Sequence, residues 1–280
     1  MDRSGSTEYS GHVDRTVRLW CSLLAVAVGV LATSLYAAAA PEARFRQVVA
    51  PVLIYHHVKA LKPSDDAIER GLTVLPSQFA AQLRYLRAAG YHVVTIRSLA
   101  QYLSTGSALP SRPVALTFDD GYSDVFQGVY LPLLRAHLSA TFFIVPSFLG
   151  TPRYLTWAQV ETMSAHGMDI EAHSMTHPDL TRIGPRSLRW QLGESRRELQ
   201  SRLHRSVRVF AYPYGAYNPK VVAAVAKAGY LAAFTTQEGW LETGAHLLTE
   251  PRVYVDVDDA LTIFAGRVRD DPIILAQDPT

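Results

Sequence analysis

Two short segments carry residues that can do chemistry together. In Leu116-Thr117-Phe118-Asp119-Asp120-Gly121-Tyr122, an apolar and β-branched run ends in two carboxylates and a glycine. Adjacent acids at a strand end repel each other, and a fold tolerates them best when a cation or a proton compensates. The alternative is a plain turn, because Asp-Asp-Gly is ordinary chemistry for leaving a strand. The second segment is His173-Ser174-Met175-Thr176-His177. Histidines at i and i+4 share one face of a helical turn, which is chelating geometry. Taken alone, such a pair is as readily two surface or core histidines. His173 follows Asp120 by 53 residues, about two strand–helix units, which would bring both segments to one rim. Asp120, His173 and His177 then make three protein ligands and leave positions for water, the arrangement of a catalytic metal site. Asp119 is left to accept a proton from that water, while the cation lowers the water's pKa and polarises a carbonyl.

The elements that would position these residues alternate in type. Strands are predicted at Val52–Tyr55, His92–Thr95, Val114–Phe118, Thr141–Val145, Asp169–Ala172, Val207–Ala211, Leu231–Thr235 and Val253–Val255. Helices are predicted at Ser77–Ala89, Ser98–Leu103, Asp124–His137, Thr156–His166, Pro185–Leu203, Pro219–Ala228 and Asp258–Val268. Ser77 is placed as a helix cap with Gly90 as its stop, Thr156 and Gln159 have capping-box spacing, and Asn218-Pro219 starts a helix that Gly229 ends. Strand–helix alternation implies an α/β fold with a mainly parallel sheet and right-handed crossovers. Seven or eight such units close into a (β/α) barrel, whose chemistry sits at the carboxyl ends of its strands.

The chain has 280 residues, 48% hydrophobic and 19% charged, with a net charge of +2. That balance describes an ordinary globular protein, and the absence of a Lys/Arg run gives no reason to propose nucleic-acid binding. Cys21 is the only cysteine, so an internal disulfide and a Cys-rich metal site are excluded, and His, Asp or Glu must hold any metal. Arg15 and Arg18 precede 22 uncharged residues, Leu19–Ala40, followed by Pro41. Residues 1–40 therefore read as a signal peptide cut after Ala40 or as a retained membrane anchor. In both cases residues 41–280 form one domain outside the cytoplasm, secreted, periplasmic or anchored.

Thr117–Tyr122, His173–His177 and Phe210-Ala211-Tyr212-Pro213-Tyr214-Gly215 resemble, in order, the first three motifs of the polysaccharide deacetylase group (NodB-homology, carbohydrate esterase family 4). The likeness runs from about Val52 to Val255 and takes in Leu155-Thr156-Trp157 and His177-Pro178-Asp179-Leu180. It implies a distorted (β/α)7–8 barrel, Asp119 as base, and Asp120, His173 and His177 as metal ligands. It also implies that Pro213-Tyr214 presents the Tyr214 N–H to a developing oxyanion, with simple aromatic packing of Tyr214 as the alternative.

Two departures from the family pattern give further expectations. The arginine that many members carry in the third motif is replaced by Ala211 and Tyr212, and Arg252 in Pro251-Arg252-Val253 is the candidate substitute, pairing with Asp119; otherwise it is a surface arginine. The C-terminal histidine acid is missing, since Gln277 in the Ile273–Asp278 run cannot serve. Tyr55-His56-His57 resembles instead the subgroup acting on poly-β-1,6-N-acetylglucosamine, which implies His56, or else His57, as general acid; a packed histidine is the alternative. Trp240 either lines a sugar groove or packs in the core.

The resemblance thus implies a hydrolase that frees acetate from an N-acetylated polysaccharide, poly-N-acetylglucosamine fitting best. Peptidoglycan, chitin-like oligomers and O-acetyl esters suit the same machinery. A silent carbohydrate-binding protein is the reading from another class, and the intact acid and histidine set argues against it. Zinc suits the donors best, with cobalt, nickel or iron tolerated.

Overall fold

A computed structural model of the chain describes residues 45–269. The predicted signal or anchor and the Ile273–Asp278 run lie outside the described residues. No helix among the described residues is long and apolar enough to cross a membrane.

All eight predicted strands are present in one sheet: Val52–Tyr55 (β1), His92–Val94 (β2), Pro113–Phe118 (β3), Thr141–Ile144 (β4), Asp169–Ala172 (β5), Val209–Ala211 (β6), Ala232–Glu238 (β7) and Glu250–Tyr254 (β8). Every pairing in it is parallel. Seven strands close a ring in the order β1-β3-β4-β5-β6-β7-β8, because β1 pairs with both β3 and β8. β2 stands outside that ring on β3. This is the distorted barrel that the strand–helix alternation predicts.

Parity sorts the side chains. Leu53, Tyr55, Leu116, Phe118, Phe142, Ile144, Ile170 and Phe210 pack in the larger cluster with the surrounding helices. Their neighbours Val52, Ala115, Phe143, Val209, Ala211 and Phe234 form a second, inner cluster. Helix Ile96–Thr105 closes that inner cluster with Ile96, Leu99, Ala100 and Leu103. Thr95 caps this helix, and the Ile96 N–H donates to Thr141 Oγ1 on β4.

Thr156–Gln159 forms its capping box and Asn218 caps the helix at Pro219. Ser77 is not a cap: the helix starts at Pro76, and the Gln78 side chain accepts from the Leu75 N–H. A rigid proline at the first position sets the start one residue earlier. The single helix expected over Asp124–His137 is instead a π-turn, Phe126–Tyr130, followed by an α-turn, Leu131–Arg135. Pro132 cannot donate to the carbonyl of residue 128 and its ring crowds it, which the wider turn relieves. A Cβ on Gly128 would lie 2.2 Å from the Val58 carbonyl oxygen, so only glycine lets this turn meet the strand end.

Candidate active site

The inner-facing parity continues past the strand ends and brings distant residues together. Asp119 lies two residues beyond Thr117, His173 two beyond Glu171, and His56 directly after β1. Asp120 breaks parity: its φ of 71° turns it back toward Asp119's side, and Gly121 at φ 79° completes the reversal. Ser174, His177 and Tyr214 also have positive φ. Left-handed backbone at non-glycine residues stores strain, and such residues concentrate at functional sites.

His173 Nε2 and His177 Nε2 lie 3.4 and 3.3 Å from Asp120 Oδ1. That buried oxygen makes no acceptable hydrogen bond. One donor atom from each of the three residues falls within 4.8 Å of the others, as ligands around a common centre do. His173 Nδ1 donates to the Ala211 carbonyl oxygen at 2.8 Å, which aims Nε2 at the centre. Burial opposes the charged form of His173, but Asp120 and Asp119 raise its pKa. Burial and the neighbouring His173 lower the His177 pKa to about 4, which keeps that ring neutral. Two imidazoles and a carboxylate fit a divalent cation, zinc best among them.

The segment His173–His177 is not a helical turn but an irregular loop. Gln191, buried on helix Pro185–Leu203, holds it: its Oε1 accepts from the Met175 and Thr176 N–H groups at 2.9 Å each, and its Nε2 donates to Thr176 Oγ1. The Ser174 hydroxyl accepts from the His177 N–H. Sequence spacing singled out the two histidines but missed this clamp, whose only signal is a glutamine among the apolar positions of its helix.

Arg252 is fully buried and grips Asp119 with both arms, Nη1 to Oδ1 at 2.9 Å and Nη2 to Oδ2 at 2.8 Å. Its Nε donates to the Thr235 carbonyl and Nη1 also to Thr117 Oγ1. Burial opposes ionisation of Asp119, but Arg252, with His173 and His56, holds its carboxyl below the ordinary range.

His56 stands at the rim beside Tyr254, ring centroids 6.2 Å apart, and faces Asp119 and Asp120. Burial lowers its pKa against the pull of those two carboxylates. His57 is turned away: its Nδ1 meets Asp124 Oδ1 at 2.7 Å and its ring stacks on Tyr122 at 3.8 Å. Tyr214 is exposed and sets its ring edge-on to His177 at 4.6 Å, after buried Pro213. Trp240 is not brought to the cluster. Its indole donates to the Arg267 carbonyl, and its own carbonyl accepts from the Ala50 N–H, ahead of the amino end of β1. The packing alternative is the one observed for Trp240.

A parallel barrel with a donor cluster at the carboxyl rim of its strands is the architecture of an enzyme active site. Residues 106–233 match the family model described as polysaccharide deacetylase. The chain is 32% identical to the chitooligosaccharide deacetylase of Sinorhizobium fredii over 62% of this chain and 74% of that one. It is 26% identical to the poly-beta-1,6-N-acetyl-D-glucosamine N-deacetylase of Staphylococcus epidermidis over 77% of this chain and 82% of that one. A match to YxkH of Bacillus subtilis, 29% identical over 68% of this chain, spans 65% of that relative's length. The solved Streptococcus pyogenes deacetylase PplD, in complex with acetate, aligns at a TM-score of 0.72 and 25% identity, over 84% of this chain and 100% of that one. The chain belongs to the polysaccharide deacetylase family and is a hydrolase of that class.

Proposed function

We propose that this chain, exported through its Leu19–Ala40 segment, hydrolyses N-acetyl groups on poly-N-acetylglucosamine and releases acetate. The observation that carries the reading is the junction of two sets: the Asp120, His173 and His177 donors, and Asp119 held beside them by Arg252.

A divalent cation in the three-residue site, zinc by its donor set, would polarise the acetyl carbonyl and acidify the attacking water. Asp119 takes the proton of that water, and Arg252 keeps the carboxylate ionised and aimed. The Tyr214 N–H, in its strained turn, meets the charge that develops on the carbonyl oxygen. His56 gives a proton to the departing nitrogen as the carbon–nitrogen bond breaks, leaving acetate and a free amine. The resemblance of the Tyr55-His56-His57 strand end and the Staphylococcus epidermidis relative support poly-N-acetylglucosamine. Chitin-like oligomers are the second reading, supported by the higher identity to the chitooligosaccharide enzyme.

The test is acetate release from both glycans by the wild-type protein and by Asp119→Asn. The substitution should cut turnover by roughly 10²-fold or more, the scale of a lost general base, while bound metal per chain stays the same. Equal turnover in the variant, or no acetate from either glycan, would remove the proposal.

A further inference from the structure

Beneath the Arg252–Asp119 pair lie two acids that the mechanism does not use. Glu250 sits two residues before Arg252 on β8 and so shares its inner face. Glu242 lies on the short strand Leu241–Thr243, opposite Val48 of Gln47–Val49. Both are fully buried. Glu250 Oε2 accepts from the Thr243 N–H at 2.9 Å, whereas neither Glu242 oxygen nor Glu250 Oε1 has a hydrogen-bond partner. The charged or titratable groups facing the pair are Arg252 and His246. Strand Gln47–Val49 brings none, and Arg46 turns its guanidinium to the Ser104 carbonyl. Arg252 has both arms on Asp119. Two ionised carboxylates cannot share a dry site with no cation of their own; one must keep its proton and donate it to the other.

We infer that Glu242 and Glu250 are positioning residues: at the foot of the barrel they share one proton as a carboxylic acid–carboxylate pair, and so leave the Arg252 guanidinium committed to Asp119. The inference rests on the reading of Asp119 as the base. Ionising the second carboxyl would place a further anion below Arg252 and draw the guanidinium away from Asp119. Burial raises both carboxyls above their ordinary range; the neighbouring Glu250 raises Glu242 further, whereas a hydrogen bond with Glu242, through the shared proton, pulls Glu250 back down. For a raised folded-state pKa, the stabilisation is complete below the unfolded value of about 4.3 and is lost as pH climbs through the folded value.

The test uses the full chain with Glu242→Gln and Glu250→Gln, each of which keeps shape and removes one ionisation. At neutral pH the wild type should show an infrared band of protonated carboxyl that loses one carboxyl's intensity in Glu242→Gln, the remainder belonging to Glu171, whose pKa is raised to about 8. As pH rises from neutral its melting temperature should fall by roughly 3 °C or more, and fall less in either variant, where the buried Glu171 carboxyl still titrates. The alkaline fall in acetate release should shrink in the variants while the acid limb stays in place, which a merely structural role would not produce. The inference is overturned by a protonated-carboxyl band unchanged in Glu242→Gln, by an alkaline fall in stability equal in all three proteins, or by a second metal ion per chain that Glu242→Gln loses. The infrared and melting measurements need no turnover, so the expected change in the band without acetate release overturns the deacetylase reading alone.

Discussion

The barrel buries two carboxylate–guanidinium sets on the same inner face, one at each end. At the rim, Arg252 forks onto Asp119. At the foot, Arg97 binds Asp169 and Glu171, Arg205 binds Asp169, and the Arg208 and Val209 N–H groups donate to Glu171. Asp169 and Glu171 are as buried as Asp119. Burial and pairing therefore do not mark a catalytic acid. What separates the two is saturation: the foot carboxylates spend their oxygens on arginines and backbone, and helix Ile96–Thr105 seals them. Asp119 meets its arginine from one side and faces the Asp120, His173 and His177 cluster on the other. An acid can take part in chemistry only when part of it is left facing a reactant.

The sharpest way to break this comparison lies across one peptide bond. His56 faces the rim carboxylates, while His57 is engaged by Asp124 and Tyr122. His56→Ala should lower turnover by roughly 10²–10⁴-fold, the worth of a general acid, with metal content intact. His57→Ala should act mainly on stability by removing the anchor of the β1 end. If the two losses in turnover are equal, orientation toward the rim does not decide function.

Next in size is the arginine exchange. Arg252→Ala leaves Asp119 buried without its partner, and burial then pushes the carboxyl up instead of down. Because the folded pKa in the wild type is depressed, the base is ionised above that low value and loses activity only as pH falls through it. In the variant the acid limb should move up by roughly one to three pH units, the range for losing an adjacent guanidinium. Arg97→Ala should destabilise by roughly 1–3 kcal/mol, the cost of hydrogen bonds lost from buried acceptors, with Arg205 still on Asp169, and leave the acid limb of the folded enzyme where it was. An acid limb that moves equally in both variants would erase the distinction between rim and foot.

The same contrast explains what the sequence made legible. Strand ends were readable because β-branched and apolar runs stop abruptly at Asp119, His173 and His56, and strand parity carries all three to one mouth. Arg252 was readable as a substitute because it too lies late in the βα order. The helical turn inferred for His173–His177 failed because i,i+4 spacing is met equally by a loop with two left-handed residues, Ser174 and His177. Trp240 was ambiguous because an aromatic ring suits a sugar face and a core alike, and here its N–H found the Arg267 carbonyl. Gln191, Glu242 and Glu250 stayed hidden because their roles come from contacts across the fold, with no motif of their own.

Gln191 gives the finest test of how far the rim depends on its support. Its carboxamide satisfies two N–H groups and one hydroxyl of the loop that carries both candidate histidine ligands. Gln191→Ala should leave Asp119 and Arg252 undisturbed, so the acid limb stays fixed. Freed of its clamp, the loop should sample other backbone states, and metal affinity should fall by roughly 10-fold, the low end for losing an outer-shell partner. Excess metal should then restore turnover, because the ligands remain and only their pre-ordering is gone. Turnover that stays low at saturating metal would mean that the loop also orders the oxyanion side through Tyr214 against His177, and the rim would act as one rigid unit.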